Sequence, residues 1–295
     1  MPLLSNATRA RLFHLADLAA GHARGNRCPN CGARGATRVI PKHGGFASVY
    51  RCDGCGLLFR PTGLQTGRVA RWYYSAVYGD DSQLTTATID DRAVALSKAR
   101  ASGKDRGPLL APLLAALPPD ARSIGVFGAS WGYELLTLAE LGVPVWGIEP
   151  GDARRERGRR AFGLELHASV ADARRAGRSG GVILSSHVLE HIPALTSALD
   201  ALLHELRPAA QLHLTPRVDP LTPAVGPIIG REHPLGVTAD FWRRFASPRG
   251  LALRLAAHQP PSEPTPCELL TLLAPATAGL DLDALAFPAG AVHPL

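Results

Sequence analysis

With 295 residues, 46% of them hydrophobic, and a formal charge of +7, the chain has the size and composition of one ordinary globular domain plus a small one. It has no run of about 18 apolar residues, hence no helical membrane span, and its first residues lack the apolar core of an export signal, so the cytoplasm is the expected compartment. The positive charge is spread along the chain; its densest run, Arg154-Arg155-Glu156-Arg157-Gly158-Arg159-Arg160, reads as the solvated face of a helix rather than a nucleic-acid grip.

Residues 1–27 are expected to hold a short amphipathic helix with Leu12, Leu15, Ala16 and Ala19 on one face. Residues 28–60 carry two cysteine knuckles, Cys28-Pro-Asn-Cys31 and Cys52-Asp-Gly-Cys55, separated by the 20 residues from Gly32 to Arg51. That spacing suits a zinc ribbon: four thiolates complete a tetrahedron, so the site is closed and structural rather than catalytic. Gly32 and Gly56 follow the knuckles and permit the tight turns. Between the knuckles, Arg38–Pro41 and Ala47–Arg51 are predicted hairpin strands joined at His43-Gly44-Gly45. Without an export signal, a disulfide pairing is the weaker reading. Cys267 has no partner in the pattern and is expected to be a buried apolar side chain.

Residues 61–108 read as a linker. Trp72, Tyr73, Tyr74 and Tyr78 either cover a ligand or pack the ribbon against the larger domain. Asp90–Gly107 is a polar helix and break, Pro108–Leu117 an apolar helix, and Pro118-Pro119-Asp120 a turn into the first strand of the main domain, residues 109–274. There, Ser123–Phe127 is an apolar run that suits a buried parallel strand. Gly128-Ala-Ser-Trp-Gly132 is a loop of mostly small residues, Glu134–Leu141 a helix stopped by Gly142 and Pro144, and Val145–Ile148 a second strand. Glu149 sits at the carboxyl end of that second strand, where a doubly wound sheet holds a ribose. The loop glycines are spaced G-x-x-x-G, not the G-x-G-x-x-G that cradles a pyrophosphate, so a nucleoside cofactor without phosphates is indicated. A further strand begins at Gly181 and runs into Ser185-Ser-His-Val-Leu-Glu-His-Ile-Pro193; the tail, residues 275–295, is rich in Ala, Pro and Leu and is expected to pack as an edge or frame an oligomer contact.

Gly128–Tyr133, Gly147–Pro150, Ser185–Pro193 and the turn Leu206–Pro216 come in an order that resembles the class I S-adenosylmethionine-dependent methyltransferases, over roughly residues 120–255. A ribbon and a paired-tyrosine segment ahead of such a domain is similar to bacterial enzymes that methylate carbons or oxygens of sugars and other small molecules. The resemblance implies a doubly wound, Rossmann-like α/β sheet with S-adenosylmethionine as cofactor and a structural zinc ion in the ribbon. It implies that Gly128, Ala129, Ser130 and Gly132 form the cofactor loop, that Glu149 and Pro150 meet the ribose, that Asp172 meets the adenine side and that Ser185, at the fourth strand, also binds the cofactor. Asp172 also reads as a helix cap before Ala173. The family's usual acid two residues before the loop is here Val126, and its fourth-strand acid is replaced by Gly180-Gly181.

Methyl transfer from a sulfonium needs a base only if the acceptor must lose a proton. The candidates are His187, Glu190, His191 and, in Gly230-Arg-Glu-His-Pro-Leu-Gly236, His233. For His187 and His191 the other reading is architectural. The expected partner is a small-molecule acceptor. A second reading is RNA, gripped by a ribbon made basic by Arg27, Arg34, Arg38, Lys42 and Arg51. A third is a binding protein on a methyltransferase fold that has lost catalysis.

Overall fold

The computed structural model describes residues 6–42, 45–65, 69, 89–222, 225–230, 232–265 and 267–295. His43-Gly44 and the four aromatic residues Trp72, Tyr73, Tyr74 and Tyr78 lie outside the described residues. The described strands are β1 (Ala36–Ile40), β2 (Val49–Cys52), β3 (Leu58–Phe59), β4 (Ile124–Phe127), β5 (Val145–Ile148), β6 (Leu166–His167), β7 (Val182–Ser186), β8 (Ala210–Pro216), β9 (Leu235–Gly236), β10 (Leu251–His258), β11 (Glu268–Pro275) and β12 (Val292–His293). They fall into two compact units. The first draws on described residues of 1–78, 189–199 and 216–245, the second on those of 79–188, 200–215 and 246–295.

The first unit is built on an antiparallel sheet in the order β1-β2-β3-β9. The β1–β2 register runs from Ala36↔Cys52 to Ile40↔Val49. The predicted hairpin is therefore present, with its first strand beginning two residues earlier than the pattern suggests. Val49, Leu58, Val218, Val225 and Ile229 pack together, so residues more than 150 positions apart in the sequence share one small core. The helix Ala239–Ala246 buries Phe241, Trp242 and Phe245. Thr238 accepts the Phe241 N–H (3.0 Å) at its start and donates its own hydroxyl to the Gly56 carbonyl (2.9 Å).

The N-terminal helix, Asn6–Ala23, does not bury the predicted stripe. Leu12 and Leu15 are 52% and 53% exposed; Ala10, Phe13, Asp17 and Leu18 face inward instead. The reason is Asp17, which an apolar pattern cannot count. Its carboxylate is fully buried and accepts from Arg60 Nη1 (2.7 Å), the Thr62 hydroxyl (2.8 Å) and the backbone N–H groups of Gly63 (2.9 Å) and Leu64 (2.7 Å). Burial alone would raise its pKa, but the Arg60 charge and the Leu64 N–H outweigh it and hold the group below its ordinary value. The helix rotates to satisfy this charge, which is costly to leave unpaired.

The second unit is a doubly wound α/β sheet in the order β12-β10-β11-β8-β7-β4-β5-β6. The five strands β6, β5, β4, β7 and β8 are parallel neighbours, with the order reversing between β4 and β7. An antiparallel hairpin, β10–β11, pairs from Leu251↔Pro275 to His258↔Glu268, and β12 edges the sheet against β10. The helix Gly107–Ala116 lays Leu109, Leu110, Leu113 and Leu114 on a core with Ile124, Val126, Val182, Leu184, Leu212 and Leu270. Leu282 and Leu285 of the tail join that core. Cys267, expected to be buried, is exposed in the turn before β11. The arginine run lies on the helix Asp152–Phe162 but is not wholly solvated: Arg155 is buried and donates to the Glu149 carbonyl (2.6 Å), and Arg157 covers the Trp131 ring.

Replacing Asp17 by Asn is expected to leave Arg60 buried without its charge partner. Urea unfolding should lose about 3–5 kcal/mol; a loss under about 1 kcal/mol would show that the helix is anchored by packing instead.

Candidate cofactor crevice and metal centre

In the first unit the four knuckle cysteines converge, with their sulfurs all within 4.8 Å of one another. Cys28 and Cys55 sulfurs are 3.6 Å apart and Cys31 and Cys52 sulfurs 3.5 Å, and none is in a disulfide. A tetrahedral zinc with Zn–S bonds of about 2.3 Å sets its sulfurs about 3.8 Å apart, so the donor set fits zinc in number, chemistry and spacing. Backbone N–H groups of Gly32 and Gly56 close the two knuckles onto the Cys28 and Cys52 carbonyls, both at 2.9 Å. Both glycines have positive φ, as the predicted tight turns require.

In the second unit, the order of β4 and β7 reverses beside the loop that follows β4, the place where open α/β sheets hold ligands. Gly128, Ser130 and Gly132 all have positive φ, so the loop turns sharply back on itself. A side chain on Gly132 would meet a Leu164 methyl at 2.3 Å, and its φ of +93° disfavours any residue with a Cβ. Four of the five loop N–H groups are spent internally. Those of Gly128 and Ala129 bond the Ile148 carbonyl (2.8 and 2.9 Å), that of Gly132 bonds the Ala129 carbonyl (2.8 Å), and that of Ser130 bonds Glu149 Oε2 (3.0 Å). Trp131 points into a separate apolar cluster with Tyr133 and Leu136.

Glu149, at the end of β5, is buried; its other oxygen accepts the Gly151 N–H at 2.8 Å. Burial raises its pKa, while Arg154 and the two N–H groups oppose the rise without cancelling it. An ionised carboxylate has about four acceptor sites, so two remain after these bonds. Pro150 beside it is exposed. Asp172 is drawn into local bonds: its carboxylate accepts the Ser169 hydroxyl (2.6 Å) and pairs with Arg175, and the Ser169 bond holds its pKa below the ordinary value. The cap of the helix Val170–Arg175 is Ser169, not Asp172. Ser185 is wholly buried in β7, and its hydroxyl donates to His213 Nδ1 (2.7 Å), whose Nε2–H bonds Gln211 Oε1 (3.0 Å).

His187 follows β7 with φ +55°, in the left-handed region uncommon for a residue with a side chain. Its Nε2–H donates to Glu268 Oε1 (2.6 Å). Glu268, at the start of β11, also accepts from Arg106 (2.8 Å) and from His258 (2.6 Å). Burial would raise the Glu268 pKa, but the hydrogen bonds of His187 and His258 and the Arg106 charge bring it far below the ordinary carboxylate value. Arg106 also reaches the Ser186 hydroxyl (3.1 Å). In the first turn of the helix after the loop, Glu134 is 3% exposed and its Oε1 has no hydrogen-bond partner. Burial raises its pKa against the charges of Arg106, Lys104 and His187. Glu134, Arg106, His258 and Glu268 are absent from the motif reading. Each sits at the edge of an apolar stretch, and Arg106 ends the charged run Lys104-Asp105-Arg106, so none carries a spacing signal of its own.

Of the four candidate bases, His187 alone belongs to the second unit. Glu190, His191 and His233 come together in the first, with one ligand atom from each within 4.8 Å of the others.

No family model matches the chain, and no curated protein matches it. Solved structures do resemble it in fold. A magnesium protoporphyrin IX methyltransferase from Synechocystis, with SAH bound, is 14% identical over 70% of this chain and 97% of its own, with a TM-score of 0.48. A SAM-dependent methyltransferase from Archaeoglobus fulgidus is 11% identical over 62% and 94%, with a TM-score of 0.44. A TehB-like SAM-dependent methyltransferase from Corynebacterium glutamicum is 18% identical over 62% and 95%, with a TM-score of 0.41. The fold assignment itself rests on the strand order and directions of the second unit.

His213 gives the second unit an acid-sensitive core, since burial pushes its pKa down to about 3 from 6.5. The depressed pKa makes its contribution to stability complete above the unfolded value of 6.5 and progressively lost as pH falls toward 3. Between about pH 6 and 5, stability should drop by up to about 1.4 kcal/mol per pH unit from this group alone. Urea melts of His213→Gln over the same interval should show a slope shallower by about one proton; an unaltered slope would mean that the folded state already protonates the ring.

Proposed function

We propose that the second unit binds S-adenosylmethionine and that the chain transfers its methyl group to a small-molecule acceptor, a sugar or a related hydroxylated compound, at carbon or oxygen. The observation that carries this reading is the state of the glycine loop. Four of its N–H groups, those of Gly128, Ala129, Ser130 and Gly132, are bonded within the protein. A dinucleotide needs such groups for its pyrophosphate, whereas a phosphate-free nucleoside does not. Glu149 keeps two acceptor sites for the two ribose hydroxyls. The four cysteines are read as the ligands of a structural zinc ion.

When bound, S-adenosylmethionine supplies a methyl group on a positively charged sulfur, displaced in line with the C–S bond breaking as the new bond forms. The residues have to orient, and holding partners in line contributes roughly 7–11 kcal/mol. Glu134 is suited to the cationic end of the cofactor, replacing the acid absent at Val126. It is a buried carboxylate with an oxygen lacking a partner, and a positive group lowers the cost of keeping it ionised. His187 is the base for an acceptor that must lose a proton. Glu268 accepts its Nε2–H, which sets the tautomer with the lone pair on Nδ1, while Arg106 and His258 fix the carboxylate. The proton moves from the acceptor to Nδ1, and the resulting imidazolium is stabilised by Glu268.

Calorimetry tests the cofactor. Wild-type protein should bind S-adenosylmethionine and S-adenosylhomocysteine at micromolar concentration and Glu149→Ala at least tenfold more weakly, with no binding of NAD. Tight NAD binding without S-adenosylmethionine binding would sink the reading; binding of S-adenosylmethionine with no turnover on any acceptor would favour the non-catalytic alternative.

Glu134→Gln should weaken S-adenosylmethionine by about 1.5–3 kcal/mol, roughly 10- to 150-fold. Because the Glu134 pKa is raised, wild-type affinity should climb with pH in a range above the ordinary carboxylate value as the group ionises. A climb that persists in the Gln variant would assign it to another group.

A further inference from the structure

The first unit holds a second set of metal donors, distinct in chemistry from the cysteines. We propose that Glu190, His191 and His233 bind a divalent transition-metal ion through two imidazoles and one carboxylate, with a coordination position open toward the adjoining cleft.

Glu190 and His191 end the short turn Leu189–His191, and His233 precedes β9. The three ligand atoms lie within 4.8 Å of one another. The two rings stand 4.7 Å apart, tilted by 71°. Each ring is held by a backbone carbonyl: His191 Nδ1 is 2.7 Å from the Glu232 oxygen and His233 Nδ1 3.1 Å from the Ile228 oxygen. A carbonyl only accepts, so Nδ1 carries the hydrogen in both rings and Nε2 carries the lone pair. This is how metal-binding histidines are oriented: one nitrogen donates to a fixed acceptor, which sets the tautomer and the ring's direction. Glu190 is 1% exposed. A carboxylate and two imidazoles converging on one point are the kind of electron-pair donors that a divalent cation can share.

The mixed nitrogen and oxygen set suits zinc, ferrous iron or manganese, whereas four thiolates select zinc. The two sites also differ in closure. The cysteine set is complete at four ligands, while this set has three and His233 borders a cleft of about 660 Å³, also lined by Arg11, His14, Leu15 and Glu232. Three protein ligands with a free position facing a cleft is the arrangement that lets a metal take water or a substrate oxygen. The class of ligand is therefore a small oxygen donor, a hydroxyl or carboxylate, entering from the cleft.

The test is metal content and cobalt spectroscopy on the full chain. After loading with zinc and exhaustive dialysis, wild-type protein should retain two ions per chain and His233→Ala one. With cobalt, wild-type protein should show intense thiolate charge-transfer bands from the cysteine site together with weak visible bands from the nitrogen and oxygen site. His233→Ala and His191→Ala should each lose the weak component and keep the thiolate bands, which report that the ribbon is folded. One ion per chain in wild-type protein, or a second ion retained by both variants, would overturn the proposal. This outcome is independent of whether the second unit binds S-adenosylmethionine.

Discussion

A carboxylate taken out of water must have its lone pairs filled, and at Glu149 the filling comes from the backbone around it. The N–H of Ser130 closes the glycine loop onto β5, and the N–H of Gly151 fixes the start of the next helix. Arg155, reaching back to the Glu149 carbonyl, holds that helix against the same strand end. The floor of the crevice is thus set by a single side chain. The loop adopts its left-handed turns because three of its five residues have positive φ and two of those are glycine. Its N–H groups are then committed to the fold, which is why the crevice is suited to a nucleoside and not to a pyrophosphate.

The same constraint recurs at two other sites where the chain buries charge. Asp17 gathers Arg60, Thr62 and a run of backbone N–H groups and so decides which face of the first helix is inside. Glu268 gathers Arg106, His187 and His258 and so decides which nitrogen of His187 carries the hydrogen. Such clusters are poor sources of net stability but strict about geometry, because removing one partner strands the others in low dielectric. In the second unit Glu134 differs from these, with an oxygen lacking a protein donor. A buried, incompletely satisfied acid is where a cationic ligand gains most.

The parallel strands were legible because they are buried on both faces and so read as short apolar runs, as at Ile124–Phe127 and Val145–Ile148. The cysteine knuckles were legible because metal geometry restricts spacing. The N-terminal helix was misread because its inward face is organised by Asp17, whose partners lie more than forty residues away. Cys267 was misread because an isolated cysteine carries no positional signal, and it lies in a proline-rich turn. The Arg106–Glu268 pair is separated by 162 residues and belongs to no short motif. Pairing of Leu58–Phe59 with Leu235–Gly236 is invisible for the same reason: two-residue strands have no periodicity to detect.

The most direct test of the central claim is a crystal structure of the chain grown with S-adenosylhomocysteine. The account predicts density in the second unit beside Gly128–Gly132, with both ribose hydroxyls bonded to Glu149 and the amino group facing Glu134. Ligand bound elsewhere, or a ribose that leaves Glu149 untouched, would contradict it.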